Sequence, residues 1–324
     1  MAAMQQEIEL KFRIPAGRLA AVRQAVFTHK AKVLPLAAAY FDTPGEHLAQ
    51  ARVALRLRRE GEQWVQTLKA QAADPLVRLE HNVDVPGPQR PELDLARHAG
   101  TPAGERLHQV LQAAPGQALA TRYATDIQRT LRPLRHASGA VIELALDEGH
   151  ILAGPHSLVV SELELELLSG QPAALLAVAE RWARRFGLLL DTRSKSERGH
   201  LLAAGQGCSA PLALKPPAEG ASHRAQLGAC LGPLLASASV LADDDLTPPQ
   251  AHLAALQQAM SRLAATLAAW GDPPVDGLGH GLLAAVQALQ ARVQACPEAG
   301  VHRLMMAPST QALWLALLWL AQGR

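Results

Sequence analysis

Charged and apolar residues alternate at the start of the chain, where Glu7, Glu9 and Lys11 are separated by Ile8 and Leu10. Successive side chains of a β-strand point to opposite faces, so a period of two places the charges on one face and the apolar residues on the other. The same alternation returns through the first two hundred residues. It predicts eight strands, at residues 5–14, 37–42, 54–59, 64–70, 78–85, 124–131, 140–148 and 158–168.

Two segments of this region follow the helical period instead. Residues 16–30 and 172–186 are predicted helices, and the second begins at Pro172 and stops before Gly187, which are typical residues for those two positions. Eight strands are enough to close a small barrel, and the short connections favour antiparallel pairing. The sequence therefore predicts an α+β fold, in which an eight-stranded antiparallel β-barrel has a charged inside and flanking helices.

The character of the chain changes near residue 205. A stretch rich in Gly, Pro and small residues follows, and the sequence beyond residue 221 is rich in Ala and Leu and helix-like. We predict a first domain at residues 1–203, a linker at 204–217 and an all-α helical bundle at 218–324. The longest apolar run, residues 312–321, is too short to span a bilayer and is predicted to be a buried helix.

Composition narrows the function classes. The 324 residues include 31 Lys and Arg against 29 Asp and Glu, and general nucleic-acid binding usually needs a larger basic surplus. The three cysteines have no metal-ligand spacing, and their odd number argues against a disulfide framework. No signal peptide is expected before the acidic first strand. We expect a cytoplasmic protein with reduced thiols and neither a membrane nor a nucleic acid as partner.

Carboxylates gather on the late strands. Glu143 and Asp147 share one strand face, and Glu162, Glu164 and Glu166 share another, with leucines on the opposite face. Three carboxylates on one face repel one another if nothing lies between them. Carboxylate oxygens are preferred ligands of hard divalent cations such as Mg²⁺. The leucine face, by contrast, must be buried.

Basic residues follow the same alternation on other strands, as Arg56 and Arg58 show, and Lys69, Arg78 and Arg129 add further positive charges. Guanidinium and ammonium groups are preferred partners of phosphate oxygens. Carboxylates and basic groups in one cavity fit a metal–polyphosphate complex. Any one of these strands could instead face solvent, but repeated pairs of like charges on several strands are not typical of a solvent face.

The ordered motifs resemble those of the CYTH superfamily, also called triphosphate tunnel metalloenzymes, and in particular those of its bacterial inorganic triphosphatases. The resemblance covers residues 1 to about 203 and implies a closed tunnel of eight antiparallel strands. The motifs that carry it are Glu7 to Lys11, Tyr40 to Pro44, Leu55 to Arg58, Thr67 to Lys69, Arg78 to Val85, Arg129, Glu143 to Asp147, Glu162 to Gly170 and Ser194 to Gly199.

The resemblance also implies roles for individual residues. Acidic residues would hold divalent metal, Mg²⁺ or Mn²⁺, and these are Glu7, Glu9, Glu143, Asp147, Glu162 and Glu164. Basic residues would contact the triphosphate, and these are Arg56, Arg58, Lys69, Arg78, Arg129 and Lys195. Lys11 is the candidate catalytic residue, which would position the attacking water or act as its base.

The C-terminal part resembles a short, degenerate form of the helical CHAD domain, which grips polyphosphate through a histidine and a basic helix. His252 and Arg262 are its candidate ligands, whereas Ala255, Gln257 and Gln258 stand where basic residues are expected. A bundle that supports the first domain is the favoured interpretation. Because every charged motif precedes the linker, we expect the bundle to be dispensable for catalysis.

These observations predict metal-dependent hydrolysis of inorganic triphosphate to diphosphate and phosphate. Thiamine triphosphatase activity and class IV adenylate cyclase-like activity are alternatives, although 3% aromatic residues leave few stacking partners for an organic group. Polyphosphate binding without turnover is a further alternative, but binding alone needs mainly the basic residues. No sequence feature identifies a protein partner.

Overall fold

The structure, a computed structural model, describes residues 8–71, 78–246, 249–271 and 281–322. Over these residues the protein is a mixed α+β fold with one antiparallel sheet and a C-terminal helical region. The strands are β1 (Glu9–Arg13), β2 (Lys32–Asp42), β3 (Val53–Glu60), β4 (Gln63–Gln71), β5 (Arg78–Val85), β6 (Ala120–Arg135), β7 (Val141–Ala153), β8 (His156–Ser169) and β9 (Leu189–Leu190). The helices are α1 (Leu19–Val26), α2 (His47–Gln50), α3 (Pro102–Gln112), α4 (Pro172–Phe186), α5 (Lys195–Ala203), α6 (His223–Leu241), α7 (Gln250–Trp270), α8 (Leu282–Ala295), α9 (Glu298–Met306) and α10 (Pro308–Gln322).

All eight predicted strands are present, and β5 and α4 have the predicted bounds. A ninth strand, β9, was not predicted, because two residues cannot show a period of two. The predicted helix at residues 16–30 is shorter, since Phe27 takes an extended conformation and ends α1 at Val26. As predicted, Gly187 ends α4; its φ of 63° is in the left-handed region that favours glycine.

The sheet order is β5-β4-β3-β2-β6-β7-β8-β1-β9, and each neighbouring pair is antiparallel. Antiparallel pairing is therefore as predicted. Over the described residues the sheet has nine strands and its order runs from β5 to β9 without closing, so the predicted closed barrel of eight strands is not confirmed. Residues 1–7 and 72–77, which flank β1 and β5 in the sequence, lie outside the described part.

The leucine face of β8 is buried, as predicted. Leu163 and Leu165 are completely buried in one hydrophobic core that also contains Phe12 of β1. The same core includes side chains of α4 and of the C-terminal helices, among them Leu234 and Trp314. Burying a leucine side chain stabilises the fold by roughly 1.5–3 kcal/mol. The C-terminal helices thus complete the core beneath the sheet.

The predicted buried helix at residues 312–321 is part of α10. Leu313, Trp314 and Leu317 of α10 are buried. Among the helices that the structure describes, none is alone long and apolar enough to cross a membrane. Together α9 and α10 reach that length and composition, but only across a bend of 63°.

Helix α5 lies against β6, β7 and β8. Ser194 caps its first turn, because the Ser194 hydroxyl accepts a hydrogen bond from the Glu197 backbone N–H at 3.0 Å. Gly199 of α5 packs against the ring of Tyr123, where any Cβ would overlap the ring. This close approach brings the first turn of α5 over the charged residues of β7 and β8.

Candidate active site

Three carboxylates converge on neighbouring strands. Asp147 of β7 pairs with Glu162 of β8, and Glu164 follows two residues later on the same strand face. One oxygen from each of these residues lies within 4.8 Å of the others. Asp147 is completely buried and Glu162 is 1% exposed. We call these three residues the carboxylate cluster.

Lys195 and Arg129 form ion pairs with the carboxylate cluster. Lys195, the first residue of α5, places its Nζ 2.7 Å from Asp147 Oδ2, 2.6 Å from Glu162 Oε2 and 2.8 Å from Glu164 Oε1. Arg129 of β6, which pairs with Asp147 in the sheet, donates to both Asp147 carboxylate oxygens at 2.6 Å. It also donates to Glu164 Oε2 at 2.5 Å. The strand register and the position of α5 therefore bring basic and acidic side chains together at one place.

The pKa shifts of these groups reflect that pairing. Burial by itself would lower the pKa of Lys195, but Glu162, Glu164 and Asp147 raise it above its ordinary value. Burial would raise the pKa of Glu164, yet Lys195 and Arg129 hold it well below the ordinary value. Glu164 is therefore ionised at neutral pH. Carboxylate oxygens, which all three residues of the carboxylate cluster offer, are the donors that a hard divalent cation prefers. This donor set fits a metal ion.

Arg198 is a further residue at this place, in addition to the site residues predicted from the sequence. Its guanidinium donates to Glu162 Oε1. Arg198 follows Lys195 by three residues, and this spacing places both side chains on one face of α5. The signal in the sequence is the spacing of three residues between Lys195 and Arg198 within the motif from Ser194 to Gly199.

The other predicted metal ligands lie elsewhere. Glu9 of β1 and Glu143 of β7 both pair with Glu166 of β8, in a row two residues along the strands from Glu164. That offset is roughly 7 Å at the usual rise of a strand. Among the described residues, the group of three or more carboxylates close enough to share one ion is the carboxylate cluster. Glu7 lies outside the described residues.

Lys11 of β1 lies opposite Glu164 of β8 in the sheet. Its ammonium group donates a hydrogen bond to the backbone carbonyl of Arg193. Burial lowers the pKa of Lys11, against the charges of Glu162 and Asp191, which raise it. The candidate catalytic residue is thus next to the carboxylate cluster and is held by the segment that leads into α5.

Arg56 and Arg58 of β3 lie on one strand face, as predicted. Arg56 Nη1 donates to the Tyr40 hydroxyl at 3.1 Å, and Arg58 forms an ion pair with Glu60. The Nε–H groups of both arginines are buried and have no hydrogen-bond partner among the described residues. Burial, together with the charge of Arg56, lowers the pKa of Arg58. A buried donor without an acceptor is costly, so this pair fits an anionic ligand.

Two remaining basic candidates lie on β4 and β5. Lys69 Nζ is 2.6 Å from Glu80 Oε2 across the two strands. Arg78 is the first residue of β5, but its side chain lies outside the described part.

Tyr40, which holds Arg56, stacks on Tyr123 with 4.6 Å between ring centroids. The Tyr123 hydroxyl in turn lies 2.8 Å from Ser196 Oγ of α5, which connects the basic strand to the helix that carries Lys195.

The two candidate polyphosphate ligands of the helical region have internal partners. His252 is 2% exposed, and its Nε2 lies 2.8 Å from the Ser209 carbonyl oxygen. Arg262 Nη1 donates to the Lys215 carbonyl oxygen at 2.7 Å. Both residues therefore attach the helices to the connecting segment at residues 204–222, which favours the supporting-bundle interpretation.

Asp191 is a buried carboxylate between β9 and α5. It accepts hydrogen bonds from Arg193 Nε at 3.0 Å and from Arg193 Nη2 at 2.7 Å. Burial by itself would raise its pKa, but the charge of Arg193 outweighs burial and lowers it from 3.8 to about 2. The ionised form is therefore favoured by folding.

The pKa of Asp191 is lower in the folded than in the unfolded protein. Asp191 therefore stabilises the fold fully at pH values above its unfolded-state pKa, and this stabilisation is lost as the pH falls to its folded-state pKa. We expect Asp191→Asn to lower the free energy of unfolding at neutral pH by roughly 2 kcal/mol. The variant should also lose less stability than the native protein between about pH 4 and pH 2. Urea unfolding across this pH range measures both effects. Asp244→Asn is the control, because Asp244 is exposed. Parallel pH curves for native and Asp191→Asn protein would contradict the prediction.

The CYTH domain family matches residues 5–200, which is more than half of the chain, and the protein belongs to this family. The resemblance seen in the motifs is therefore confirmed.

An inorganic triphosphatase of Haemophilus influenzae is 32% identical to the chain over 209 residues. That match covers 63% of this chain and 56% of the relative, so the chain spans little more than half the length of that relative. Among solved structures, a proposed adenylate cyclase of Bacillus halodurans is 19% identical with a TM-score of 0.41, over 60% of this chain and 97% of that one. An inorganic triphosphatase structure is 22% identical with a TM-score of 0.24, over 53% and 79% of the two chains.

Proposed function

We propose that this protein hydrolyses inorganic triphosphate to diphosphate and phosphate in a reaction that requires Mg²⁺ or Mn²⁺. The observation that carries the proposal is the carboxylate cluster on the same sheet as two buried arginine donors that have no partner among the described residues. Carboxylates suit a divalent cation and guanidinium groups suit phosphate oxygens. The name of the 32% identical relative supports the choice of substrate.

Asp147, Glu162 and Glu164 would hold the metal, and Glu7, Glu9 and Glu143 are proposed to complete its surroundings. A bound divalent metal would supply charge neutralisation for the phosphate oxygens and activation of water. Lys195 and Arg129 now pair with the carboxylate cluster, and we propose that both contact the triphosphate when it binds. Their fixed positive charges would then stabilise the charge that develops on the transferred and leaving groups.

On the basic side, the Nε–H groups of Arg56 and Arg58 would donate to phosphate oxygens, with Lys69 and Arg78 as further contacts. Lys11 is proposed to orient the attacking water or to accept its proton. We also propose that the strands close into the eight-stranded tunnel that the resemblance implies, within a domain at residues 1–203. The helical region after the linker at 204–217 is proposed to be a degenerate CHAD-like bundle.

The tyrosines near the arginines favour an inorganic substrate. Tyr40 and Tyr123 stack on each other, and their hydroxyl groups contact Arg56 and Ser196. Both rings are also buried, at 5% and 7% exposure, so neither is available to stack on the base of ATP or the ring system of thiamine triphosphate. This arrangement argues for a substrate recognised through its phosphates.

Phosphate-release assays with four substrates test the proposal. We expect the fastest turnover with tripolyphosphate in the presence of MgCl₂ or MnCl₂, and slower turnover with thiamine triphosphate, ATP and long-chain polyphosphate. Glu164→Gln, prepared in the same way, controls for contaminating phosphatases. Faster cleavage of an organic triphosphate, or binding of tripolyphosphate without phosphate release, would contradict the proposal.

A further inference from the structure

We propose that Asp243, which follows α6 in the C-terminal helical region, is a positioning residue for the active site. It acts through Arg193 on the segment at residues 190–195, which connects β9 to α5. The inference rests on the proposed function, because it assigns to the helical region a part in triphosphate hydrolysis. It also reverses the expectation from sequence that this region is dispensable for catalysis.

The C-terminal helices hold this segment by its backbone. The Leu190 N–H donates to Gln311 Oε1 of α10 at 2.7 Å, and the Thr192 N–H donates to Ser239 Oγ of α6 at 3.1 Å. The Leu190 donor is buried, and a buried backbone donor needs a partner, which a side chain of the helical region provides. The conformation of the segment therefore depends on residues more than 40 positions later in the chain.

Asp243 adds a charged contact to these two hydrogen bonds. Its Oδ2 accepts from Arg193 Nη1 at 2.6 Å, and its Oδ1 lies 3.6 Å from Arg13 Nη1 of β1. Arg193 is 5% exposed, and its other guanidinium donors bind Asp191. Removing the Asp243 charge would leave Arg193 Nη1 with at most a neutral acceptor, which replaces a charge-assisted hydrogen bond by a weaker one and loosens the buried side chain.

Displacement of Arg193 would reach two groups of the active site. The Arg193 carbonyl accepts the hydrogen bond from the Lys11 ammonium group, and Lys195 follows two residues later with its contacts to the carboxylate cluster. A misplacement of about 1 Å can cost on the order of 100-fold in rate. Asp243 touches neither the carboxylate cluster nor the basic residues of β3, so its effect is indirect.

The test uses the full-length chain with the variants Asp243→Asn and Asp243→Glu. Asp244→Asn is the matched control, since the neighbouring Asp244 is exposed and its contact is to His302 within the helical region. We expect Asp243→Asn to lower kcat for tripolyphosphate by on the order of tenfold or more, with a smaller change in KM, because Arg56 and Arg58 of β3 would still contact the phosphates. Asp243→Glu should restore most of kcat, and Asp244→Asn should behave as native protein.

Hydrogen exchange of peptides that cover residues 190–195 provides a measurement independent of activity. Exchange should be faster in Asp243→Asn than in the native protein and unchanged in Asp244→Asn. Ser239→Ala removes a different contact to the same segment. It is expected to increase exchange and to lower kcat in the same way as Asp243→Asn, but by less. It serves as the test variant if Asp243→Asn does not fold.

Several outcomes would overturn the inference. Native kcat in folded Asp243→Asn would do so, as would equal losses in Asp243→Asn and Asp244→Asn. A loss of kcat that disappears when the assay is run well below the unfolding temperature would show a merely structural role. If the native protein releases no phosphate from any triphosphate, the proposed function fails, and with it the role of Asp243 in catalysis. The exchange data would then still decide separately whether Asp243 holds the segment.

Discussion

Asp147→Asn, Glu162→Gln and Glu164→Gln are each expected to lower tripolyphosphate hydrolysis by on the order of 100- to 1000-fold, and excess EDTA is expected to abolish it. A metal held by these oxygens would contribute several kcal/mol to transition-state stabilisation, and each 1.36 kcal/mol corresponds to about tenfold in rate. The three carboxylates lie within 4.8 Å of one another, so the loss of one charge affects the whole cluster.

Stability has to be measured alongside activity, because each substitution also removes an ion-pair partner of Lys195. Thermal unfolding of the variants shows whether the assay is carried out on folded protein. Glu148→Gln is the matched control, since Glu148 neighbours Asp147 on β7 but forms its ion pair with Arg23 at 2.5 Å, away from the cluster. Native activity in excess EDTA would refute the metal requirement. Native activity in all three folded variants would exclude the carboxylate cluster as the metal site.

Arg56→Ala and Arg58→Ala are both expected to lower kcat/KM for tripolyphosphate by roughly 10- to 100-fold, since a hydrogen bond to a charged group contributes about 1.5–3 kcal/mol. Neither Nε–H group has a hydrogen-bond partner among the described residues, so each would gain an acceptor from a phosphate oxygen. Arg56→Lys should lose part of the activity, because lysine keeps the charge but not the planar pair of donors.

Arg59→Ala is the control for this pair. Arg59 is adjacent on β3 but exposed, and its Nε–H donates to the Gly61 carbonyl oxygen at 2.9 Å. Its removal should leave kcat/KM unchanged. If only one of Arg56 and Arg58 mattered, the assignment of both to a single substrate-facing strand face would be wrong.

The faces on which the charges lie could be predicted from the order of residues alone. Side chains two positions apart on a strand share a face whatever strand pairs with it. On β3, Arg56 and Arg58 accordingly lie on the other face of the strand from the buried Leu55. On β8, Glu162 lies on the other face from the buried Leu163. The ordered motifs were also sufficient to predict the family, because they depend only on residue types and their order in the sequence.

Strand register decides which charged residues of different strands become neighbours, and no single segment of the sequence encodes register. Register places Glu162 beside Asp147, whereas it places Glu9 and Glu143 beside Glu166, in a different row. Equal alternation on several strands leaves open which pairs become neighbours, because pairing is set by how the strands align after folding. A period of two therefore predicted the acidic faces but not the membership of the carboxylate cluster.

Contacts between distant parts of the chain were decided by tertiary packing. Arg193 and Asp243 are 50 residues apart, and the shared core of the sheet and the C-terminal helices brings them to 2.6 Å. Periodicity describes how a segment presents its own side chains, and it contains no information on the distance to another segment. That distance follows from the burial of apolar surface common to both, which is a property of the folded chain as a whole.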